Sequence, residues 1–420
     1  VTVNPVAAPD VDLANLDISD MSLWQDDPPY ELFARIRKED PIHWSELRDW
    51  PQEQGFWSIT RWDDMRAVSL DHETFSSETG AVFMLDDIGV PLDILRLQPI
   101  CMDPPRHDRI KALFQTAFTP KRIAEHEKAI RDIVNLAIDG VIEQGSCDLV
   151  EDVGQKVVTR VIGSLLGSPP EDDHLMVKWS RITVGFEDKD LRPNWEDAQN
   201  MLVEAMQYSL PQWEMRRETP LDDLASALVH AEIDGDKFND FELLAITGLL
   251  GTAGSDSTRA VFTNSMRALM EHPDQMRMLI DDPSLIEKAR EECLRCFPAF
   301  AYFRRTATKN TELGGKQIKE GDKIVMWYIA SNRDETKFQN PEQFDIMRPE
   351  TEHQAFGAGG RHFCLGAALA RLELKILIEE TLRRMPDVHI AGDPVRAESL
   401  FLNQLKKLPV EFTPGQRELS

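Results

Sequence analysis

Residues 356 to 366 read Phe-Gly-Ala-Gly-Gly-Arg-His-Phe-Cys-Leu-Gly, and no other stretch constrains this chain as strongly. One cysteine, Cys364, stands between a glycine-rich loop and a run of apolar residues at helical spacing: Leu365, Ala367, Ala368, Leu369, Leu372, Ile376 and Leu377. Gly357, Gly359 and Gly360 put no side chain in the way of a flat ligand and tolerate unusual backbone angles. Cys364 is expected at the helix N-terminus, where the partial positive charge favours a thiolate. A thiolate in apolar surroundings suits a soft metal. A lone cysteine is otherwise just a small hydrophobe, so the rest of the chain must decide between the two readings.

Composition narrows the choice. The chain has 420 residues and is 42% hydrophobic, enough for a large core. Lys and Arg number 47 against 73 Asp and Glu, a net charge of −26. Nucleic acid demands a basic footprint, so it is not an expected partner. The five cysteines are scattered and odd in number, unlike a disulfide framework. Cys293-x-x-Cys296 lies inside a helical pattern with no second pair of ligands, and reads as packing. The first twenty residues are polar and acidic rather than a signal peptide. No apolar run reaches the roughly 18 residues a membrane span needs. A cytoplasmic protein without a membrane anchor is expected.

Short strands are predicted at Ile42-His43-Trp44 and Phe56-Trp57-Ser58-Ile59, and helices around Leu32–Arg37 and Asp63–Leu70. Residues 81–99 read as an apolar loop. From Pro120 the pattern is overwhelmingly helical, with stops at Gly145 and at Gly167-Ser168-Pro169-Pro170. One long helix is predicted from Asp240 to about Glu271, with Asn239 as its N-cap, and another from Ser284 to Cys296. A turn at residues 311–315 precedes a strand at Lys323–Tyr328. The expected fold class is mostly α with a minor β portion, in a single unit over 1–420 with 1–20 as a loose tail.

The composite motif around Cys364 resembles the haem-binding loop of the cytochrome P-450 superfamily, the haem-thiolate monooxygenases. The resemblance implies a helical prism around a buried haem b, with Cys364 as the proximal iron ligand and Phe356, Gly359 and Gly366 shaping its loop. It also gives meaning to the polar run Ala253-Gly254-Ser255-Asp256-Ser257-Thr258 inside the long helix. Such a run invites local unwinding, because hydroxyls compete for backbone partners. It looks like the family's acid–alcohol pair, with Asp256 relaying protons and Ser257 standing where the alcohol is usually Thr. Thr258 is expected to point elsewhere on a regular helix.

Three further matches follow from the same resemblance. Glu292 and Arg295, one turn apart, look like the family's Glu-x-x-Arg pair, and Arg348 like its third member, a charge network holding the cysteine loop. His107, Lys111, Arg305 and His362 match haem propionate contacts, with Lys111 a point charge where the family usually has an Arg fork. The loop is one residue longer than the commonest form, as in bacterial members that oxidise sterol side chains and branched or linear lipids. Pocket residues are expected at Phe83, Met84, Leu92, Leu250, Ala253, Ala299, Phe300 and Phe401, each ordinary core if taken singly.

The implied reaction is hydroxylation of an unactivated C–H bond of a lipophilic small molecule (steroid, terpenoid or aliphatic lipid) by dioxygen. Electrons would come from NAD(P)H through a ferredoxin reductase and a ferredoxin, docked on Arg106, Arg109 and Arg361. The protein would act as a monomer. A peroxide-driven peroxygenase and a non-catalytic haem-binding sensor are the alternatives. The acid–alcohol pair argues against both.

Overall fold

The computed structural model describes residues 11–419, apart from 49, 116, 185, 186, 189, 192, 193 and 234. Helices dominate, and the longest runs over Asp240–Glu271 through the middle of the main apolar core. Its start is fixed by a capping box. The Asn239 side chain accepts from the backbone N–H groups of Phe241 and Glu242, and the Glu242 carboxylate accepts from the Asn239 N–H at 2.9 Å. The helices Lys156–Leu166, Asp173–Val184 and Ala367–Arg384 pack against it. Gly254 makes the closest approach possible: a Cβ there would lie 2.9 Å from the Ile162 side chain.

The expected unwinding of the long helix does not occur. Its backbone stays α-helical throughout, and the hydroxyls turn back onto carbonyls one turn earlier instead. Ser255 donates to Gly251 at 2.8 Å and Ser257 to Ala253 at 2.6 Å.

Among the described residues the largest sheet of the minor β portion has five strands, in the order Ile42–Ser45, Phe56–Ile59, Lys323–Trp327, Tyr302–Ala307, Phe75–Ser76, with smaller sheets of two or three strands besides. Only the contact between Phe56–Ile59 and Lys323–Trp327 is parallel. An aromatic cluster including Trp24, Phe33, Tyr302 and Trp327 packs against this sheet. Residues 311–318 form a hairpin around Gly314 and Gly315, both at positive φ, rather than a simple turn. The apolar loop at 81–99 carries a short helix at Leu92–Leu95.

Residues 1–10 of the expected tail lie outside the described residues, and residues 11–20 are not loose. Ile18 is fully buried, and its carbonyl accepts from the Trp24 indole at 2.8 Å. Asp17 accepts from the backbone N–H of Ser19 and of Arg48. Acidity had disguised an apolar anchor whose two carboxylates, Asp12 and Asp17, serve as backbone caps.

Candidate active site

The cysteine loop is built from backbone geometry. Gly357, Gly359 and Gly360 all have positive φ (102°, 94° and 80°), where a side chain is strained. The Cys364 N–H donates to the Phe356 carbonyl at 2.9 Å, closing the loop. Gly359 and Gly360 face the helix Trp62–Leu70 rather than a ligand. The Gly359 carbonyl accepts from Ser69 Oγ at 2.7 Å, and a Cβ on Gly360 would meet the Ser69 carbonyl at 2.6 Å. Of the loop glycines, Gly357 and Gly366 line the cavity and Gly359 does not.

That cavity, about 290 Å³, lies between the loop and the long helix. Cys364, Phe356, Leu365 and Leu369 line one side, and Leu250, Ala253, Ser257, Thr258 and Val261 another. Cys364 is exposed only because its side chain opens into this cavity. Burial pushes its thiol up, against the Gly366 N–H and the charges of Lys111 and Arg371, which pull it down. The regular helix begins at Ala367 with Gly366 as its N-cap, so the N–H that reaches the thiol comes from the helix N-terminus.

Of the expected pocket residues, Phe83, Leu250, Ala253, Ala299, Phe300 and Phe401 line the cavity. Met84 and Leu92 do not. They pack in the aromatic cluster behind its wall.

The cationic side chains divide in two. Arg305 is buried and lines the cavity, and among the described residues no carboxylate pairs with it. It donates to the Arg304 carbonyl at 2.8 Å. Burial lowers its pKa. His107 and His362 line the cavity with rings 4.2 Å apart. Burial is the main cause that lowers both pKa values, so both imidazoles are neutral near pH 7. Lys111 lines the cavity too, and it also braces the loop. Its ammonium donates to the carbonyls of Arg361 and Phe363, at 2.5 and 2.7 Å, and ties down the loop just before Cys364. Its three donors are better spent on carbonyls than a planar fork would be.

Asp256 does not reach the cavity. It is buried, paired to Arg259 at 2.5 Å, and Arg259 also donates to Gln404 at 2.7 Å. Both line a second, smaller cavity of about 50 Å³ with Glu151, Gln155 and Lys406. Asp256 and Ser257, about 100° apart around the regular helix, thus face different cavities. Thr258, expected to point elsewhere, lines the main cavity and hydrogen-bonds Glu373. Glu373 escaped the sequence analysis. Burial raises its pKa from 4.5 to about 8, and it lines the cavity from the Ala367–Arg384 helix. The signal was present: Glu373 interrupts an apolar stripe at Leu365, Leu369 and Leu377.

Glu292, Arg295 and Arg348 do meet. Arg295 holds Glu292 with two bonds of 2.7 and 2.8 Å, and Arg348 adds a third at 3.0 Å. The two guanidiniums also donate to carbonyls of Asn332 and of residues 339–343. They grip the cysteine loop one step removed, through Asn332, whose side chain accepts from the Gln354 N–H at 2.7 Å. Cys293 and Cys296 are buried core, with thiol pKa values pushed up to about 12 by burial.

The family model for cytochrome P450 matches residues 160–386. The chain belongs to the cytochrome P450 family. A methyl-branched lipid omega-hydroxylase of Mycobacterium tuberculosis is 34% identical over 98% of both chains. A steroid C26-monooxygenase of Rhodococcus jostii is 33% identical over 94% of this chain and 84% of its own. A Mycobacterium marinum cytochrome P450 solved with pseudoionone superposes with a TM-score of 0.86 at 32% identity, over 98% of this chain and 100% of that one. P450s carry a haem-thiolate cofactor, and this P450 has a site that fits one. A thiol opens into the cavity beside Gly357 and Gly366, and Arg305 offers buried donors with no acid to meet them. Among the described residues, no helix is long and apolar enough to cross a membrane.

Proposed function

We propose that this P450 monooxygenase holds haem b through Cys364 and hydroxylates a terminal methyl of a branched aliphatic chain, on a lipid or a steroid side chain. When bound, the haem-thiolate centre supplies activation of dioxygen and insertion of one oxygen atom into a C–H bond. Cys364 Sγ would be the iron ligand. Arg305 and the neutral imidazoles of His107 and His362 would donate to the propionates. Phe356 and Gly366 would pack against the ring.

The observation that carries the reading is the wall above Cys364. Leu250, Ala253, Val261, Phe300 and Phe401 are apolar, and they favour a lipophilic chain. The relatives named a methyl-branched lipid omega-hydroxylase and a steroid C26-monooxygenase support that reading. Protons would cross one turn of the long helix. Asp256 Oδ would collect them from the small polar cavity and Ser257 Oγ would present them to the main one, with Glu373 a protonated reserve behind Thr258. Electrons would come from NAD(P)H through a reductase and a ferredoxin. Arg106 and Arg361 already pair with Glu242 and Asp108, so docking would have to compete with those pairs.

The test is an optical titration of the ferric holoenzyme with methyl-branched fatty acids, steroids, linear alkanes and terpenoids. Displacement of water from the iron shifts the spectrum. A saturable shift with the branched-chain ligands, and hydroxylation of their terminal methyl in a reconstituted ferredoxin system, is expected. Saturable shifts confined to polar ligands would overturn the substrate class.

A further inference from the structure

Glu187 belongs to the connection between the helices Asp173–Val184 and Trp195–Glu218, far in sequence from the cavity wall it touches. Its carboxylate accepts three hydrogen bonds from the segment 399–401: Ser399 Oγ at 2.6 Å, the Leu400 N–H at 2.8 Å and the Phe401 N–H at 3.0 Å. The Ser399 hydroxyl in turn accepts from the N–H groups of Phe401 and Leu402. Asp188 extends the grip by accepting from the Glu398 N–H at 2.9 Å and pairing with Lys406 at 3.1 Å. Two adjacent carboxylates therefore take the N–H groups of Glu398, Leu400 and Phe401.

Among the described residues no cation pairs with Glu187, whose donors are all neutral. A half-buried carboxylate with no cation beside it is costly, and desolvation raises its pKa. What it holds explains the cost. Phe401 is the hub of an aromatic wall, with ring centroids 5.1 Å from Phe83, 5.0 Å from Phe300 and 5.4 Å from Phe303. All four rings line the main cavity. The turn that presents Phe401 is held from two sides: an isolated bridge joins Leu402 to Phe300 and the Ala301 N–H donates to the Phe401 carbonyl at 2.8 Å, while Glu187 takes the N–H groups of Leu400 and Phe401 from the other side.

We propose that Glu187 is a positioning residue that sets Phe401 in the cavity wall and so determines which substrates fit. It couples the connection between two helices to the substrate cavity. The proposal rests on the reading of that cavity as the substrate site.

The experiment uses the holoenzyme and the variants Glu187→Ala and Glu187→Gln. Amide hydrogen exchange is followed in peptides spanning 396–405. Affinities are measured optically for pseudoionone, a methyl-branched fatty acid and phenylimidazole, the last an iron-directed probe indifferent to substrate class. Glu187→Ala is expected to speed exchange at Leu400 and Phe401 about tenfold or more, because bonds to a charged acceptor are lost. Exchange in Phe56–Ile59 should stay unchanged. The affinity ratio among the three probes should shift severalfold, with KM rising and kcat at saturation little altered. Glu187→Gln, which keeps one acceptor oxygen, should fall between.

Unchanged exchange at Leu400 and Phe401 would overturn the proposal. So would faster exchange with an unmoved affinity ratio, which would make Glu187 a structural brace only. If neither pseudoionone nor the methyl-branched fatty acid binds the parent enzyme, the substrate reading is at fault. Exchange and phenylimidazole affinity then still decide the role of Glu187.

Discussion

The cysteine loop and the middle of the long helix line the same cavity, yet they are held in opposite ways. In the loop the backbone carries the design: three glycines at positive φ, the Cys364 N–H bonded to Phe356, and Lys111 tying two carbonyls. In the helix the backbone is regular and the side chains carry it. Ser257 and Thr258 face the main cavity, while Asp256 faces a smaller one with Arg259. A ligand that must be gripped in one place calls for a fixed backbone. A proton that must move is served by adjacent side chains that turn about 100° apart toward two cavities.

The sharpest break in this contrast is Cys364→Ala. It should abolish the thiolate-type spectrum of the reduced carbon monoxide complex altogether, and a retained spectrum would move the ligand elsewhere. Next comes the support beneath the loop. Glu292→Ala leaves Arg295 and Arg348 buried without their acid and should cost about 3–5 kcal/mol, read as a lowered denaturant midpoint. On the helix side, Asp256→Asn should slow turnover roughly 100-fold while ligand affinity holds. Equal turnover in the variant would remove Asp256 from the proton path.

Glu373 sharpens the comparison through pH. Its folded pKa of about 8 lies above the ordinary value of 4.5, so the folded form binds the proton more tightly than the unfolded one. The associated stability is complete below about pH 4.5 and is lost as pH rises toward 8, at up to about 1.4 kcal/mol per pH unit. Glu373→Gln should flatten that slope, measured by urea unfolding at about pH 5 and about pH 8. The smallest effect is expected at Gly254→Ala. The new methyl meets Ile162 at 2.9 Å, costing about 1–3 kcal/mol, while better helix propensity returns up to about 1 kcal/mol. A variant more stable than the parent would show that the two helices yield freely there.

Much of the architecture was legible because local signals agree with the fold. Asn239 caps the long helix as its sequence suggests, and both N-terminal strands fall where their residues predict them. Glu292, Arg295 and Arg348 could be named from spacing and resemblance, and they meet. Misreadings came where a side chain's direction depends on a distant partner. Met84 and Leu92 are as apolar as Phe83 but sit behind the wall. Residues 11–20, read as loose, found a sheet and a tryptophan to pack on.

The sequence by itself determined the cysteine loop, the long helix and the apolar character of the cavity, since glycines, caps and periodicity act within a few residues of themselves. Only the tertiary structure decided which face of the helix each of Asp256, Ser257 and Thr258 serves, that Glu373 stands buried beside Thr258, and that Glu187 holds Phe401. Those outcomes hang on burial and on hydrogen bonds between residues far apart in the chain, which no local pattern encodes.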